Sequence, residues 1–527
     1  MVVSASYDRF SNGAACPYRS LVPRLSAESL VKFRRLWKAR GTILFKRLQF
    51  FMPLLGRNHN HNMKSKTPKP QKKKQKISVD QSWEAINPRA AGIDIGAEAH
   101  FACVPPEATP KNVRSFGTFT ADLGALADWF KECGVTSVAM EATGVYWIPV
   151  FQILEARGFA VILVNARQTK NVAGRKTDVQ DCQWIQRLHT YGLLQGSFRP
   201  EDPYCVLRTY LRYRDELISA RSTQCQHMHK ALQQMNVQLA QVLSDVTGVS
   251  GMAIIAAILA GERDRVKLAA LVDRRVRAAP VQIQKALEGD YRQEHLFVLQ
   301  QAFSLYGTYE QKINACDEQI VRETATLSDK VDPQCKPLPP RKEGRPASKD
   351  QMLGQDMREV LYRKFGSDLT AIEGIGVTTA LVVLTEVGPN VSGFKTEKHF
   401  CSWLGLCPDN RISGGKVLSS HTRRVVNRAS DALRMAAVTL ERSQSALGGF
   451  YRRMKGRLGA AEAITATAHK LARIIYRLIK YGEAYVRQGM EDYERKFQER
   501  KLYALKKTAT LMGFNLIAKQ QVASPVS

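Results

Sequence analysis

Four acidic side chains end apolar strands or open a helix in a chain that is otherwise strongly basic. Asp94 lies in AGIDIGAEAHFACV, Glu141 in VAMEATGVYW, and Asp178 and Asp181 in GRKTDVQDCQWI. The chain of 527 residues holds 78 Lys and Arg against 48 Asp and Glu, a formal net charge of +30. A polyanion is therefore the expected partner. Carboxylates are hard oxygen ligands. Two Mg²⁺ ions about 4 Å apart can hold both the attacking and the leaving oxygen of an in-line phosphoryl displacement. The i, i+3 spacing of Asp178 and Asp181 puts both on one helix face. Any one of these acids alone reads equally as a cap or a surface charge. The strand, strand, helix order of all four favours a shared metal pocket. Arg167, Lys170, Arg175 and Lys176 stand close by in sequence and can contact a nucleic-acid backbone.

A second chemical candidate lies far downstream, in FCSWLGLCPDNRISGGKVLSSHTRRVVNRASDALRMAA. Ser413 precedes Gly414 and Gly415 in a loop flanked by Arg411 and Lys416. Glycines let a phosphate backbone approach, and nearby cations lower the cost of forming an alkoxide. From spacing alone, an ordinary Ser-Gly turn competes with a nucleophile. His421, Arg423 and Arg424 are candidates for proton transfer or phosphate binding. Upstream, LTAIEGIGVTTALVVLTEVG carries the turn Gly374-Ile375-Gly376, similar to a helix–hairpin–helix. Backbone N–H groups at such a turn meet a phosphate; a plain interhelical turn is the alternative. Gly248 and Gly251 in VTGVSGMAIIAAILAGE form a fainter version.

These residues need elements to position them. Residues 89–203 read as α/β: strands in AGIDIG, HFACVPP and VRSFGTFT, a helix in ADLGALADWFKECG, a strand in TSVAMEA, a helix in YWIPVFQILEARG and a strand in FAVILVN. Three β-signals, helix, strand, helix, strand is the order of an RNase H-like fold. From Tyr204 to Val246 the chain reads as one long helix. Leu211, Arg214, Ile218, Arg221, Cys225, Met228, Leu232, Met235, Leu239 and Val242 form a heptad seam with two arginines in it. The expected coiled-coil region, 204–330, pairs within the chain or between protomers. Residues 331–350 are a Pro-rich linker or exposed insertion. Residues 351–485 read as a mostly helical domain and 486–527 as a basic tail. Residues 63–88 are a Lys- and Pro-rich arm expected to be disordered. Residues 1–62 read as an upstream extension, with Met63 an alternative start. The ten cysteines form no C-x-x-C pair, which favours reduced thiols in a cytosolic protein over zinc ribbons. His227 and His229, at i and i+2, point to different helix faces and make a poor metal pair. No stretch approaches the roughly 20 apolar residues of a membrane span.

GIDIG, MEATGVYW and KTDVQDCQWIQRL, followed far downstream by SWLGLCPDNRISGG, resemble the DEDD-type insertion-sequence transposases described as bridge-RNA-guided recombinases. The resemblance covers roughly residues 89–485. It implies an RNase H-like (RuvC-like) domain, a coiled-coil insertion and a helical transposase domain. It implies that Asp94, Glu141, Asp178 and Asp181 are catalytic and bind Mg²⁺. Ser413 takes the place of the family's serine, which attacks a DNA phosphate to form a phosphoserine link. The partners it implies are DNA at element ends and target, a structured noncoding guide RNA that reads sequence by base pairing, and further copies of the chain. The setting it implies is the bacterial cytoplasm and nucleoid. The family often carries a Lys-x-Gly-Asn segment after the serine loop. Here VVNRASDALR keeps Asn427, Leu433 and Arg434 without the glycine. The sequence thus points to a DNA transposase. A metal-only junction-resolving endonuclease and a non-catalytic nucleic-acid-binding protein stand as the alternatives.

Overall fold

The computed structural model describes residues 84–165, 169, 177–341, 346–423 and 425–516. The expectations for residues 1–62 and for nearly all of the basic arm lie outside the described residues.

The first region is built on β1 (Ala90–Ile95), β2 (Ala99–Cys103), β3 (Val113–Gly117), β4 (Ser137–Glu141) and β5 (Ala160–Val164). The sheet order is β3-β2-β1-β4-β5. β1, β2 and β3 run antiparallel, whereas β1, β4 and β5 run parallel. Helices α1 (Thr120–Glu132) and α2 (Trp147–Ala156) return the chain between β3, β4 and β5. Alternation along β1 sends Ala91, Ile93 and Ile95 into a core with Leu126 and Phe130 of α1 and Leu154 of α2. Gly92 and Asp94 face the other side of the sheet, where α3 (Asp178–Thr190) packs on β1. The region is a mixed α/β core, consistent with the RNase H-like order expected from the sequence.

The heptad seam folds back within the chain. Helix α4 (Asp202–Gln234) runs antiparallel to a second long helix, closed through four short ones: α5 (Leu239–Val242), α6 (Val249–Leu259), α7 (Arg265–Ala270) and α8 (Pro280–Ala286). The return helix is α9 (Gln293–Thr326). The two seam arginines are explained by acids on α9: Arg214 pairs with Asp317 and Arg221 with Glu310. The single helix expected to reach Val246 ends instead at Gln234. Asn236 adopts φ 56°, a left-handed conformation that Asn tolerates. Val237, Leu239 and Leu243 then turn into a small core with Ile254, Ile258, Leu268 and Leu287. Arg214→Ala leaves the Asp317 carboxylate buried without its partner, an expected cost of about 2–4 kcal/mol. Arg214→Met combined with Asp317→Leu should lie within about 1 kcal/mol of the native chain. Denaturant unfolding of the three variants checks this; equal losses in single and double variants would refute it.

The C-terminal region is mostly helical. A two-residue strand pair, β6 (Gln351–Met352) with β7 (Gln355–Asp356), precedes α10 (Met357–Phe365), α11 (Val377–Val387) and α12 (Glu397–Trp403). A hairpin of β8 (Arg411–Ser413) and β9 (Lys416–Ser419) leads to α13 (Arg428–Thr439), α14 (Ala446–Leu458), α15 (Ala460–Tyr481) and α16 (Glu483–Leu511). The first turns of α4 belong to this core: Tyr204, Leu207 and Leu211 pack with Leu361, Leu384, Leu433 and Leu471. Arg212 fastens the joint, with its Nη2 2.8 Å from Glu386 Oε2 at the end of α11. The paired α4 and α9 are therefore rooted in the C-terminal region.

The expected Pro-rich linker is partly tied down. The Tyr362 hydroxyl donates to the Lys336 carbonyl at 3.1 Å, and Arg358 Nη2 donates to the Pro339 carbonyl at 2.8 Å. Residues 342–345 lie outside the described residues. The nine described cysteines are free thiols; four are buried and Cys335 is exposed. His227 Nδ1 lies 3.3 Å from Gln224 Oε1. No helix among the described residues is long and apolar enough to cross a membrane.

Candidate active site

The acids converge because two strands and one helix end at the same place. β1 and β4 are parallel, with Ile93 opposite Met140. Asp94 and Glu141 therefore follow one step on, side by side on neighbouring strands. Thr177 starts α3: its Oγ1 accepts from the Gln180 N–H at 3.4 Å. Asp178 and Asp181 then fall in the first turn, where the helix dipole favours negative charge.

The height of α3 above the sheet decides whether its acids reach Asp94. A Cβ at Gly92 would lie 2.3 Å from the Gln186 backbone N and 2.6 Å from the Cys182 carbonyl oxygen. Only glycine lets the helix lie this close to β1. Polar contacts hold its far end: Gln186 Nε2 donates to the Ala90 carbonyl at 3.3 Å, and Ser137 Oγ lies 2.7 Å from His189 Nε2. Gln186 and His189 are both buried. Gly92→Ala must lift α3, because backbone atoms cannot give way as a flexible side chain does. It is expected to cost about 1–3 kcal/mol of stability and to weaken any activity that needs all four acids. Thermal unfolding with a paired cleavage assay checks this. A variant as stable and as active as the native chain would contradict it.

The electrostatics show that the four acids share one field. Burial pushes the Asp94 carboxyl up to about 6, and the charges of Asp178, Asp181 and Glu141, in that order, push it the same way. Thr169, itself buried, donates its hydroxyl to Glu141 Oε2 at 2.8 Å. Asp178 is exposed; Asp94, Glu141 and Asp181 are half-buried. The donor set consists of carboxylate oxygens gathered around a partly desolvated Asp94, which suits a hard divalent cation such as Mg²⁺. Among the described residues, however, no three His, Cys, Asp or Glu side chains form a group that could hold a metal ion. The two findings differ because repulsion acts over a longer range than ligation. The acids are neighbours in charge without being a preassembled cage.

The downstream candidates sit on separate elements. Ser413 ends β8, beside the two-residue turn Gly414-Gly415, with φ of 54° and 77°. Arg411, Ser413 and Lys416 are exposed. What the sequence suggests as a loop is thus the tip of a hairpin, as a Gly-Gly pair between two short apolar runs allows. His421 lies at the base, its carbonyl accepting from the Asp409 N–H at 2.8 Å. Arg423 is engaged locally: Nη2 donates to the Ser402 carbonyl at 2.6 Å and to its Oγ at 2.8 Å. Gly374 has φ 84°, and a Cβ there would come within 3.0 Å of the Ala436 carbonyl on α13. Gly376 caps α11. Arg167, Lys170, Arg175, Lys176 and Arg424 lie outside the described residues.

Gly92, Thr169, Gln186 and His189 were not singled out by the sequence patterns. Only Gly92 carried a signal, a glycine inside an apolar strand run, which often marks close backbone approach.

Two family models match the chain. Residues 91–237 match the DEDD transposase model of IS110, and residues 366–452 match the transposase model of the IS116/IS110/IS902 family. Among curated relatives, the "Insertion element IS110 uncharacterized 43.6 kDa protein" of Streptomyces coelicolor is 29% identical over 119 residues, covering 22% of this chain and 29% of the relative. The "Putative transposase y4pF/y4sB" of Sinorhizobium fredii is 33% identical over 127 residues, covering 22% of this chain and 32% of the relative. The chain thus spans about a third of the length of these relatives. The first match encloses all four acids and the second encloses Gly374, Gly376 and Ser413, so two IS110-family transposase domains are found in this chain.

Proposed function

We propose that the protein is a DNA transposase that cuts and rejoins strands at the ends and target of an insertion sequence. The observation that carries the reading is the convergence of four acids: Asp94 and Glu141 lie side by side on parallel β1 and β4, and Asp178 and Asp181 open α3, which packs on β1, all inside the match to a DEDD transposase. Asp94, Glu141, Asp178 and Asp181 are the residues that would hold Mg²⁺. When bound, the ion neutralises charge on a phosphodiester and polarises its oxygen.

Ser413 is the proposed nucleophile. Its Oγ attacks phosphorus, an Oγ–P bond forms, and the bond from phosphorus to one deoxyribose oxygen breaks. The serine proton ends on that departing sugar oxygen. Attack on the phosphoserine by a second sugar hydroxyl reverses these changes, rejoins the strand and regenerates Ser413. Arg411 and Lys416, exposed on the same hairpin, would hold the phosphate, with Gly374, Gly376, Arg423 and the cations of 167–176 and 424 as further backbone contacts. Acids and serine stand on different elements; by the resemblance to the bridge-RNA-guided recombinases, several copies of the chain and a structured noncoding guide RNA complete the proposed assembly. Asp94→Asn and Ser413→Ala, assayed separately for strand cleavage and for covalent protein–DNA adducts, test the reading.

A further inference from the structure

The β8–β9 hairpin has two unlike sides. Ile412 pairs with Val417 across the strands, and Ser413 pairs with Lys416. Alternation puts Ile412 and Val417 on one side and Ser413 and Lys416 on the other. The apolar side is not packed: Ile412 is 61% exposed and Val417 60%. The tip stands clear of the body, since a Cβ at Gly414 or Gly415 would meet nothing within 4 Å. A two-stranded hairpin is marginal on its own, so two bare apolar side chains at its end are a cost without a partner.

The surroundings indicate which partner. Residues 408–428 hold five Lys or Arg and one acid, Asp409; Arg428 is matched by Asp215 at 2.8 Å, while Arg411 and Lys416 stand exposed on the hairpin itself. An acidic or polyanionic surface fits them. A second copy of this cationic hairpin does not. Among polyanions, DNA also offers an apolar surface, the faces of its bases, once a step is opened. Apolar side chains inserted between base steps unstack and kink a duplex.

We infer that Ile412 and Val417 are a wedge that unstacks DNA bases beside the phosphate attacked by Ser413. This rests on the proposed role of Ser413. The two sides of the hairpin then divide the work. Lys416 and Ser413 meet the backbone, while the apolar side opens the adjacent step and exposes the phosphate.

The test uses the full chain, the structured noncoding RNA of the element and a duplex covering the element end. The covalent adduct of the native protein first maps the scissile phosphate. A 2-aminopurine is then placed beside it, and Ser413→Ala protein is added so that binding is read without cleavage. Fluorescence should rise on binding. In the same background, Ile412→Thr with Val417→Thr keeps β-branched shape and strand preference. It should bind within about threefold, because phosphate contacts supply most affinity, yet the rise should vanish. Ile412→Leu with Val417→Ile should retain the rise, which guards against a hairpin that has merely lost its fold.

A bound complex with no rise overturns the wedge, as does a rise that survives in the Thr variant. So does a Thr variant whose main defect is a smaller assembly by light scattering, since a second copy would then be what covers the apolar side. Adducts without any fluorescence rise would defeat the wedge alone. No adduct and no cleavage would defeat the serine reading and the wedge together.

Discussion

Replacing Asp94 by Asn is expected to abolish strand cleavage while making the protein harder to unfold in chelator. Asp94 ionises near 6 in the folded chain, against 3.8 for an ordinary Asp, because burial and then Asp178, Asp181 and Glu141 oppose its charge. The sign follows from proton counting. Between these two values the folded state binds more protons than the unfolded state, so stability falls as pH rises through that window. Above about pH 6 the full penalty is present; below about pH 4 it is gone. Two pKa units correspond to about 3 kcal/mol. Asp94 is only half-buried, and solvent screening reduces the expected gain to about 1–2 kcal/mol. Asn keeps the shape and removes the charge. At pH 8 the variant should therefore melt a few degrees higher than the native protein, and at pH 4 the two should melt together. A variant that melts lower at pH 8, or a difference that ignores pH, would show that the acids do not burden one another as the geometry requires. The same repulsion predicts that Mg²⁺ raises the melting temperature of the native chain and has little effect on Asp94→Asn.

The acids were legible in the sequence because a carboxylate closing an apolar strand is a local anomaly. Asp94 and Glu141 break runs that otherwise read as core, and Asp178 with Asp181 fall at helix spacing behind Thr177, a usable cap. Their convergence was not legible. It depends on α3 lying on β1, which Gly92 permits and Gln186 anchors. A glycine inside an apolar strand hints at a close backbone approach but does not say which element approaches. The seam of α4 was visible as spacing, yet its arginines needed Asp317 and Glu310, about a hundred residues on. The end of α4 was hidden for the opposite reason. Leu239 and Val242 continue the heptad after Asn236 has already turned the chain, because the small distal core wants the same apolar residues. The rooting of α4 in the C-terminal region, through Leu207, Leu211 and Arg212, lay beyond any local pattern.

Ser413→Ala is expected to abolish covalent protein–DNA adducts and recombination while leaving the fold, DNA binding and RNA binding in place. The fold should survive because Ser413 is exposed at a hairpin tip, and surface substitutions of this kind usually change stability by less than about 0.5 kcal/mol. Binding should survive because Arg411 and Lys416 remain and phosphate contacts are spread over many cations. The chemistry should not survive: without the hydroxyl no Oγ–P bond can form, and alanine offers no substitute nucleophile. The loss in covalent product should therefore exceed about a thousandfold, the scale seen when a catalytic nucleophile is removed. This variant separates three readings that the acids alone cannot. A metal-only endonuclease needs Asp94, Glu141, Asp178 and Asp181 but not Ser413, so it would still cut DNA, using water, in Ser413→Ala and would fail only in Asp94→Asn. A non-catalytic nucleic-acid-binding protein would keep its function in both variants. A transposase of the proposed kind loses recombination in both. Mixing the two variants adds one further reading. If the acids and the serine of one reaction centre come from different copies, Asp94→Asn and Ser413→Ala chains together should regain part of the activity that neither has alone. If both come from one copy, mixing should restore nothing beyond independent half-reactions at separate sites.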